Sequence, residues 1–496
     1  MLRLIKKEPW FLFLLSVFFV LHGYNENFGY ISFSDILILL AVYLLASFVL
    51  YLFFLFIFGN RIYSGICAGY ILFFYFFFGA LQDFFRQHVV FLSRYSVLIP
   101  LFVIIFCLIV VLMKWKKWPL KRLNFFLNVL LLIYLSIETF SLTVHMIKPQ
   151  QKRLSLKDEI PELQAEISEN SSRPDIYFLI FDEYASSSAL KKYYQFDNHL
   201  LDSFLVRQQF HLIPGSKSNY NFTPFSIASI LNMNYITNIN PDEISIQEYA
   251  KCNELIIDNK VCDYLETNGY SINNFSSFDL KGQPRQVVQS LLPYKTSLIT
   301  DVTLFSRMRR DLIWWFMTGK FKQDWLTEKF LYANRYLNIK IEELIIKSSF
   351  TRSPVPRFFY CHFYLPHPPF YNSGSGLKTA ETIAREWEEL DTKAYLDYVT
   401  FTNLKIFKII SSIKQATKGK AVIIFMGDHG FRKQVSENFY DNYFENQNAV
   451  YLPSKDYTSW PDTLSGVNEF RIIFNDIYSL QLPLLKDSSI FLKDKK

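Results

Sequence analysis

Residues 421–430 read AVIIFMGDHG, an apolar run that stops abruptly at an acid and a histidine. Consecutive apolar residues rich in β-branched side chains are typical of a strand that is covered on both faces. Residues 175–181 (DIYFLIF) and 357–365 (RFFYCHFYL) have the same character, and stretches long enough for crossover helices separate the three runs. This alternation predicts an α/β domain with a largely parallel central sheet.

Each of the three predicted strands ends in side chains of the kind that bind metals. These are Asp182 and Glu183 after the first strand, His362 within and His367 after the second, and Asp428 and His429 after the third. Ligands bind at the carboxyl ends of the strands in an open α/β sheet, so we expect these groups to meet at one edge. Carboxylates and imidazoles together suit a divalent metal. Taken singly, each group could instead cap a helix or form a turn, and it is the coincidence of three that favours a site.

A candidate nucleophile lies in residues 218–229, SNYNFTPFSIAS. Thr223 followed by Pro224 predicts a helix start, with Thr223 as the N-cap and Pro224 at the first helical position. This structural role would be sufficient by itself. A helix N-terminus also favours a nearby phosphate, and a hydroxyl bound there to a metal would be activated. The two roles are compatible.

The first 147 residues predict a membrane anchor. Four apolar runs have about the 20 residues that a helix needs to cross a bilayer, and a shorter run precedes them. The runs are 9–24, 36–58, 62–81, 95–113 and 125–147. No small-residue cleavage site follows the first run, so we interpret it as an uncleaved span and expect five transmembrane helices.

The net charge of +7 belongs to this anchor. Residues 1–150 hold 12 basic and 5 acidic residues, so the remaining chain is neutral. A basic surface for nucleic acid therefore has no support in the composition. Basic residues are concentrated before the first run, at Arg61 and in residues 114–122, whereas the alternate loops hold only Arg86 and Arg94. This distribution predicts a cytoplasmic N-terminus and an outer half beyond the cytoplasm.

Three further features have open interpretations. Glu138, in the last run with His145 near its outer end, either contacts a lipid head group or faces the interior of the bundle. Residues 304–325 combine basic and tryptophan side chains, which suits either a helix at the membrane surface or one packed on the domain core. Cys252 and Cys262 are candidates for a disulfide in an oxidising compartment.

Four segments in this order, PDIYFLIFDEY, SNYNFTPFSIASILNM, HFYLPHPPF and MGDHGFR, resemble the alkaline-phosphatase/sulfatase superfamily. Within it they are most similar to membrane-anchored phosphotransferases, the lipoteichoic acid synthases and lipid A phosphoethanolamine transferases. The resemblance implies an alkaline-phosphatase-like α/β domain behind a five-helix anchor. The expected organisation is an anchor over residues 1–147, a linker over 148–173 and a catalytic domain over 174–496.

Matched motif by motif, the resemblance implies a role for individual residues. The implied metal ligands are Asp182, Thr223, Asp428 and His429, and the metal would be Zn²⁺ or Mn²⁺. Thr223 would also be the nucleophile and His367 a catalytic residue, with His362, Glu183 and Arg432 as further candidates for substrate binding. Asn468-Glu469-Phe470-Arg471 resembles a late segment of sulfatase-like domains and supports the fold only.

The sequence departs from the family patterns in two places. No histidine follows His429, so a complete second metal site is not expected and Arg432 would supply positive charge instead. Thr223 is followed directly by proline without the Cys/Ser-x-Pro-x-Arg pattern of sulfatases. Sulfate-ester hydrolysis through formylglycine is therefore not expected.

We therefore expect metal-dependent transfer of a phospho-head group, phosphoethanolamine or glycerol phosphate, through a phospho-threonine. The donor would be a membrane phospholipid and the acceptor an exported glycan or a lipid-linked molecule. The chain would be a multi-pass protein of the bacterial cytoplasmic (inner) membrane with its catalytic domain outside. Alternatives are a phosphodiesterase or phosphatase acting on the same kind of ester, and a non-catalytic glycan-binding membrane protein. A transporter is disfavoured because no repeat is visible.

Overall fold

The architecture is taken from a computed structural model of the chain. It describes residues 6–116, 120–147, 155–156, 160, 163, 172–286, 294–318, 322–374, 376–436 and 440–494. The chain divides into two compact units, Met1–Gln151 with Gln289–Trp314, and Lys152–Val288 with Trp315–Lys496. Most of the expected linker, residues 148–173, lies outside the described residues.

The first unit is helical. Its helices are α1 (Phe11–Glu26), α2 (Phe33–Phe58), α3 (Arg61–His88), α4 (Tyr95–Lys116) and α5 (Lys121–Ile147). Within the described residues, α2 to α5 are long and apolar enough to cross a membrane. Helix α1 is apolar but has only 16 residues, which span about 24 Å of the roughly 30 Å hydrocarbon layer. Four of the five expected spans are thus found, and the fifth crossing remains a prediction.

The carboxylate of Glu138 is held inside this helical unit. Its oxygens lie 2.8 Å from His22 Nδ1 and 2.5 Å from Asn25 Nδ2, both on α1. Asn25 Nδ2 also donates to the backbone carbonyl of Glu138 at 2.8 Å. Since acidic groups at membrane depth require such partners, these contacts favour the interpretation in which Glu138 faces the bundle interior.

The second unit carries the strands and most of the shorter helices. The strands are β1 (Ser155–Leu156), β2 (Ile176–Phe181), β3 (His211–Leu212), β4 (Ile236–Thr237), β5 (Ser271–Phe275), β6 (Arg357–Phe363), β7 (Asn372–Ser373), β8 (Gly376–Leu377), β9 (Val422–Gly427) and β10 (Asn448–Tyr451). The remaining α-helices of the described chain are α6 (Ser187–Tyr194), α7 (His199–Arg207), α8 (Thr223–Asn232), α9 (Ile246–Ile257), α10 (Lys260–Thr267), α11 (Ser297–Thr300), α12 (Leu304–Thr318), α13 (Asp324–Leu326), α14 (Ala333–Phe350), α15 (Ala380–Glu388), α16 (Thr392–Thr417) and α17 (Glu469–Tyr478).

A six-stranded sheet in the order β3-β10-β9-β2-β6-β5 forms the centre of this unit. The four strands β9, β2, β6 and β5 run parallel, and β10 is antiparallel to both of its neighbours. The three strands predicted from their apolar runs are β2, β6 and β9, which lie side by side. The prediction of an α/β domain with a largely parallel sheet is confirmed.

Both faces of the central strand are covered. All six residues of β2 are buried. Phe178 packs edge-on against Phe470 of α17, with ring centroids 5.0 Å apart, in a core cluster that includes Phe225 of α8. The next residue, Tyr177, points to the opposite face and stacks at 4.6 Å on Phe359 of β6, a strand that α14 contacts. The absence of alternation in the sequence therefore reports burial from both sides.

The suggested disulfide between Cys252 and Cys262 is wrong. Both thiols are free and buried, one on α9 and one on α10. Both belong to the apolar core cluster, and burial raises the pKa of each thiol. They act as small hydrophobic core residues.

Residues 297–314 belong to the helical unit although they follow β5 in the sequence. Gly79 N, on α3, donates to the carbonyl of Val302 at 2.8 Å. Arg307 is buried and makes two hydrogen bonds to the carboxylate of Asp83, at 2.9 and 2.6 Å. Bidentate pairs of this kind fix geometry as well as adding energy. The segment is therefore an integral part of the helical unit.

The structure gives a mixed answer for the basic and aromatic stretch 304–325. Arg307 is committed to an internal ion pair, whereas Arg309 and Arg310 are exposed. Lys320 lies outside the described residues, as do the side chains of the two adjacent tryptophans. The stretch is divided between the two units: residues up to Trp314 belong to the helical unit and those from Trp315 belong to the second unit.

Candidate metal centre

The sheet register brings three strand ends to the same level. Phe181, the last residue of β2, pairs with Phe363 of β6 on one side and with Gly427 of β9 on the other. The residues that follow β2 and β9 are Asp182 and Asp428, so the two carboxylates leave adjacent strands at one edge. This is the edge at which parallel α/β sheets bind ligands.

His362 joins these two carboxylates. It occupies β6 opposite Ile180 of β2, one residue before the strand ends. The ligand atoms of Asp182, His362 and Asp428 all lie within 4.8 Å of one another, and the three side chains are buried. The sequence predicts His362 both as one of the metal-binding groups at the strand ends and, through the family resemblance, as a further candidate for substrate binding. The structure places it among the groups that could hold a metal.

His429 approaches the same cluster from the end of β9. Its Nε2 lies 3.4 Å from Asp428 Oδ2 and 3.8 Å from Asp182 Oδ1. Its Nδ1 lies 2.9 Å from the carbonyl of Gly430 and must donate to it, because a carbonyl oxygen only accepts. The lone pair of the ring is therefore on Nε2, the atom that faces the carboxylates.

The donor set fits a divalent cation. Within the described residues, neither Asp428 Oδ2 nor His362 Nε2 has a hydrogen-bond partner, although both are buried. The other oxygen of Asp428 accepts from the backbone N–H groups of Glu183 and His429, both at 2.9 Å, which fixes the carboxylate. Buried polar atoms without partners are expensive, and a bound metal would satisfy both.

The electrostatics of the two carboxylates, Asp182 and Asp428, also favour a bound cation. Burial would raise the pKa of Asp182, but the neighbouring imidazoles of His367, His362 and His429 outweigh it and hold the pKa below its ordinary value. Burial and the charge of Asp182 raise the pKa of Asp428. Two carboxylates in one buried site repel each other, and a cation between them would favour the ionised form of both.

The hydroxyl of Thr223 lies beside this cluster. Its Oγ1 is 3.3 Å from His429 Nε2 and 3.5 Å from Asp182 Oδ1. The prediction that Thr223 is the N-cap of its helix is wrong. Helix α8 begins at Thr223 with Phe222 in the cap position, and no side chain caps the helix. Because the hydroxyl has no capping bond to make, it is free to face the acid and the imidazole.

A second group of charged residues stands next to the first. Glu183 Oε1 accepts from Arg432 N at 2.9 Å and from Arg432 Nε at 3.2 Å. Arg432 Nη2 lies 3.4 Å from His367 Nε2, which is itself 3.9 Å from Glu183 Oε2. The structure thus groups the predicted residues His367, Glu183 and Arg432 with one another. An arginine and an imidazole side by side suit an anionic phosphate oxygen.

The backbone at the strand ends is tightly constrained. Glu183 adopts φ +63°, the left-handed region that non-glycine residues rarely occupy, and this turn directs its N–H to Asp428. A Cβ on Gly430 would lie 2.1 Å from the carbonyl oxygen of Asn442, so only glycine fits there. The Asp-His-Gly motif therefore ends in glycine because another segment passes at van der Waals distance.

An open cleft of about 440 Å³ adjoins this second group. Its lining includes Glu183, His367 and Arg432, together with Asn221, Phe222, Trp387, Tyr443, Phe491, Leu492 and Lys493. The sequence predicts Glu183, His367 and Arg432 as site residues but gives no indication of Lys493 or of the aromatic residues. The four aromatic residues come from four separate places in the chain, and no local pattern connects them.

The late segment Asn468-Glu469-Phe470-Arg471 is structural. All four residues are buried. Arg471 Nε donates to the carbonyl of Met233 at 2.9 Å, and Asn468 Nδ2 donates to the carbonyl of Leu485 at 2.8 Å. These bonds tie α17 to the end of α8 and to the C-terminal residues, which agrees with the expectation that the segment supports the fold only.

Comparison of the sequence with protein-family models and with curated proteins returned no match. Comparison of the structure returned sulfatases and related proteins. The C-terminal periplasmic domain of EptC from Escherichia coli, solved with zinc, is 11% identical with a TM-score of 0.37, and the match covers 68% of this chain and 92% of that one. A 2-O GAG sulfatase is 12% identical with a TM-score of 0.39, covering 66% and 76%. The phosphonate monoester hydrolase of Agrobacterium radiobacter is 12% identical with a TM-score of 0.36, covering 62% and 74%.

These neighbours are of the alkaline-phosphatase/sulfatase type, the superfamily that the sequence motifs resemble. At such identities and TM-scores the similarity adds nothing about the reaction or the substrates. What this chain does is therefore argued from its own residues.

Proposed function

We propose that this chain is a membrane-anchored, metal-dependent phosphotransferase that uses Thr223 as its nucleophile. One observation carries the proposal: a hydroxyl that caps no helix lies at 3.3 and 3.5 Å from the imidazole and carboxylate of a buried metal-ligand cluster. A helix N-terminus beneath the hydroxyl favours the phosphate that this hydroxyl would attack.

The residues that would hold the metal are Asp182, His362, Asp428 and His429, together with the Thr223 hydroxyl. A divalent cation, zinc or manganese, would supply the positive charge that lowers the pKa of a bound hydroxyl and neutralises a phosphate. The protein groups have their own tasks. The Asp182 carboxylate accepts the proton of Thr223, and the N–H groups of Glu183 and His429 keep Asp428 in place.

His367 and Arg432 would act on the phosphate itself. The Arg432 guanidinium is oriented by two hydrogen bonds to Glu183 and can donate to non-bridging phosphate oxygens. His367 Nδ1 lies within hydrogen-bond distance of the carbonyl of Pro368, so this nitrogen donates, and Nε2 lies beside Arg432 Nη2 at 3.4 Å. In its protonated form His367 can give a proton to a departing oxygen.

The reaction would proceed in two displacements. Thr223 Oγ1 bonds to phosphorus of a phospholipid diester, the bond from phosphorus to the glycerol oxygen breaks, and diacylglycerol leaves with a proton. The oxygen of an acceptor hydroxyl then bonds to phosphorus while its proton passes to His367. The bond from phosphorus to Thr223 Oγ1 breaks, and Thr223 regains its proton from Asp182. The donor head group would be phosphoethanolamine or glycerol phosphate, and the acceptor an exported glycan or a lipid-linked molecule.

The proposed function also implies a location for the chain in the cell. Helices α2 to α5, and α1 as a fifth crossing, would anchor the chain in the bacterial cytoplasmic membrane. The charge distribution of the loops then supports a position of the second unit outside the cytoplasm. A phospholipid donor is abundant at that surface.

The test is the intact mass of the purified full-length protein after incubation with phospholipid vesicles and Zn²⁺ or Mn²⁺. We expect an added head-group mass on the wild type, and none on Thr223→Ala. Thr400→Ala, which removes an exposed hydroxyl of α16, serves as the matched control and should carry the adduct. Diacylglycerol release without an adduct would favour hydrolysis of the same ester, and the absence of both would refute the proposal.

A further inference from the structure

The C-terminal segment, residues 485–494, lies along the loop that precedes the nucleophile. Ile490 N donates to the carbonyl of Asn219 at 2.8 Å. Leu492 N donates to Asn221 Oδ1 at 2.8 Å, and Asn221 Nδ2 donates back to the carbonyl of Leu492 at 3.1 Å. Asn221 is buried and stands two residues before Thr223. The segment therefore reaches the active-site loop through specific, reciprocal hydrogen bonds.

The same segment supplies part of the cleft wall. Phe491 and Lys493 line the cleft. The Phe491 ring lies 4.2 Å from the ring of Tyr440 and 5.8 Å from that of Tyr443, measured between centroids. Such contacts hold an aromatic ring in a fixed orientation. Phe491 is thus a supported aromatic surface at the edge of the cleft.

The cleft combines aromatic and charged lining in a small volume. Phe222, Trp387, Tyr443 and Phe491 provide the aromatic surface, and the charged residues already assigned to the phosphate stand beside them. About 440 Å³ is the size of a site for a small molecule and does not enclose two acyl chains. A saturated ring that carries hydroxyl groups matches this lining, because aromatic rings can pack against its C–H face while polar side chains meet its hydroxyls.

We propose that the C-terminal segment forms the acceptor side of the cleft and that Phe491 is a specificity-determining residue for a sugar ring. The inference rests on the proposed function, since it assigns the second substrate of that reaction. The phosphate end of the reaction is held by Thr223 and Arg432. The sugar would lie against Phe491, with a hydroxyl directed at the phosphorus.

Binding is measured first, in full-length protein that carries Thr223→Ala so that no transfer occurs. The probe is methyl glucoside, whose binding is observed by saturation-transfer NMR. Glycerol, a hydroxylated molecule without a ring, is the comparison. We expect methyl glucoside to bind, and its affinity to fall about tenfold on adding Phe491→Ala. Phe491→Tyr should restore it. Leu484→Ala, an exposed residue just before the same segment, should leave it unchanged.

The second measurement separates this inference from the proposed function. In protein with Thr223 intact, methyl glucoside and glycerol compete for the phospho-threonine, and Phe491→Ala should lower the sugar-to-glycerol product ratio about tenfold. Suppose that the adduct forms on Thr223 but Phe491→Ala changes neither the sugar-to-glycerol product ratio nor the affinity for methyl glucoside. This result would refute the role of Phe491 and leave the proposed function intact. Sugar binding that depends on Phe491 without any adduct would refute the phosphotransferase and support the ring subsite. Retained Zn²⁺ binding by Phe491→Ala shows that the site is folded.

Discussion

Replacing Glu469 with glutamine should stabilise the protein, and increasingly so as the pH rises. Glu469 is fully buried at the start of α17. One carboxyl oxygen accepts from Asn448 Nδ2 at 2.8 Å, and the other has no hydrogen-bond partner within the described residues. Burial raises the pKa of this carboxyl from 4.5 to about 7, against the smaller opposing effect of Asn448.

The sign of the effect follows from proton linkage. Below pH 4.5 the carboxyl is neutral in both the folded and the unfolded chain, so it imposes no penalty. Between pH 4.5 and 7 the unfolded chain ionises while the folded chain stays protonated, and the folded state loses stability. With these two pKa values the penalty is about 1 kcal/mol at pH 5 and about 3 kcal/mol at pH 8. Glutamine cannot ionise and keeps an oxygen for Asn448, so the variant escapes the penalty.

The assay is thermal unfolding of the full-length protein in detergent, followed by tryptophan fluorescence at pH 5 and pH 8. At roughly 1.5 °C per kcal/mol for a unit of this size, the Tm difference between Glu469→Gln and wild type should grow by about 4 °C between the two pH values. Other titrating groups are common to both proteins and cancel in this difference. Glu389→Gln, at an exposed position, should show no such growth. An equal Tm difference at both pH values would refute the reasoning from burial.

Three other substitutions test the site and the helical unit. Added Zn²⁺ at a hundredfold excess over Kd should stabilise the wild type by about 3 kcal/mol, measured by Tm with and without chelator, and Asp428→Asn should abolish most of this stabilisation. The same stabilisation in the variant would show that Asp428 does not bind the metal. Gly430→Ala should destabilise the protein by about 3 kcal/mol because its Cβ would lie 2.1 Å from a backbone carbonyl oxygen, whereas the control Gly374→Ala has open space around its Cβ and should not. Equal Tm values for the two variants would contradict the close approach. Arg307→Ala should lower the Tm in detergent by several degrees because the Asp83 carboxylate loses both hydrogen bonds, whereas Arg309→Ala, at an exposed position, should have little effect. A larger loss of Tm for Arg309→Ala than for Arg307→Ala would show that the ion pair does not stabilise the fold.

The strands and the acids after them could be predicted because both signals are local. A run such as residues 421–426 carries its burial in its composition, and Asp182 and Asp428 follow directly after such runs. The strands β3, β5 and β10 were not predicted. Two are very short and β5 is polar in its middle (SINNF), so their pairing depends on neighbours distant in the sequence.

The site was harder to predict from the sequence where it depends on the direction of a side chain. His362 lies inside its strand, and only the register with β2 shows that it points at Asp182. Thr223 carries the usual signal of an N-cap, yet the helix begins one residue earlier than that signal indicates. The cleft residues Trp387 and Phe491 carry no local signal, because tertiary packing alone brings them to the same place.

The helical unit has an order of synthesis built into it. Its first five helices are translated before any strand of the sheet, but the segment around Val302 and Arg307 follows only after β5. Until then the N–H of Gly79 and the carboxylate of Asp83 await partners that the ribosome has not yet made. The unit begun first is therefore completed late, and a fragment cut after the last long helix would leave it permanently unfinished.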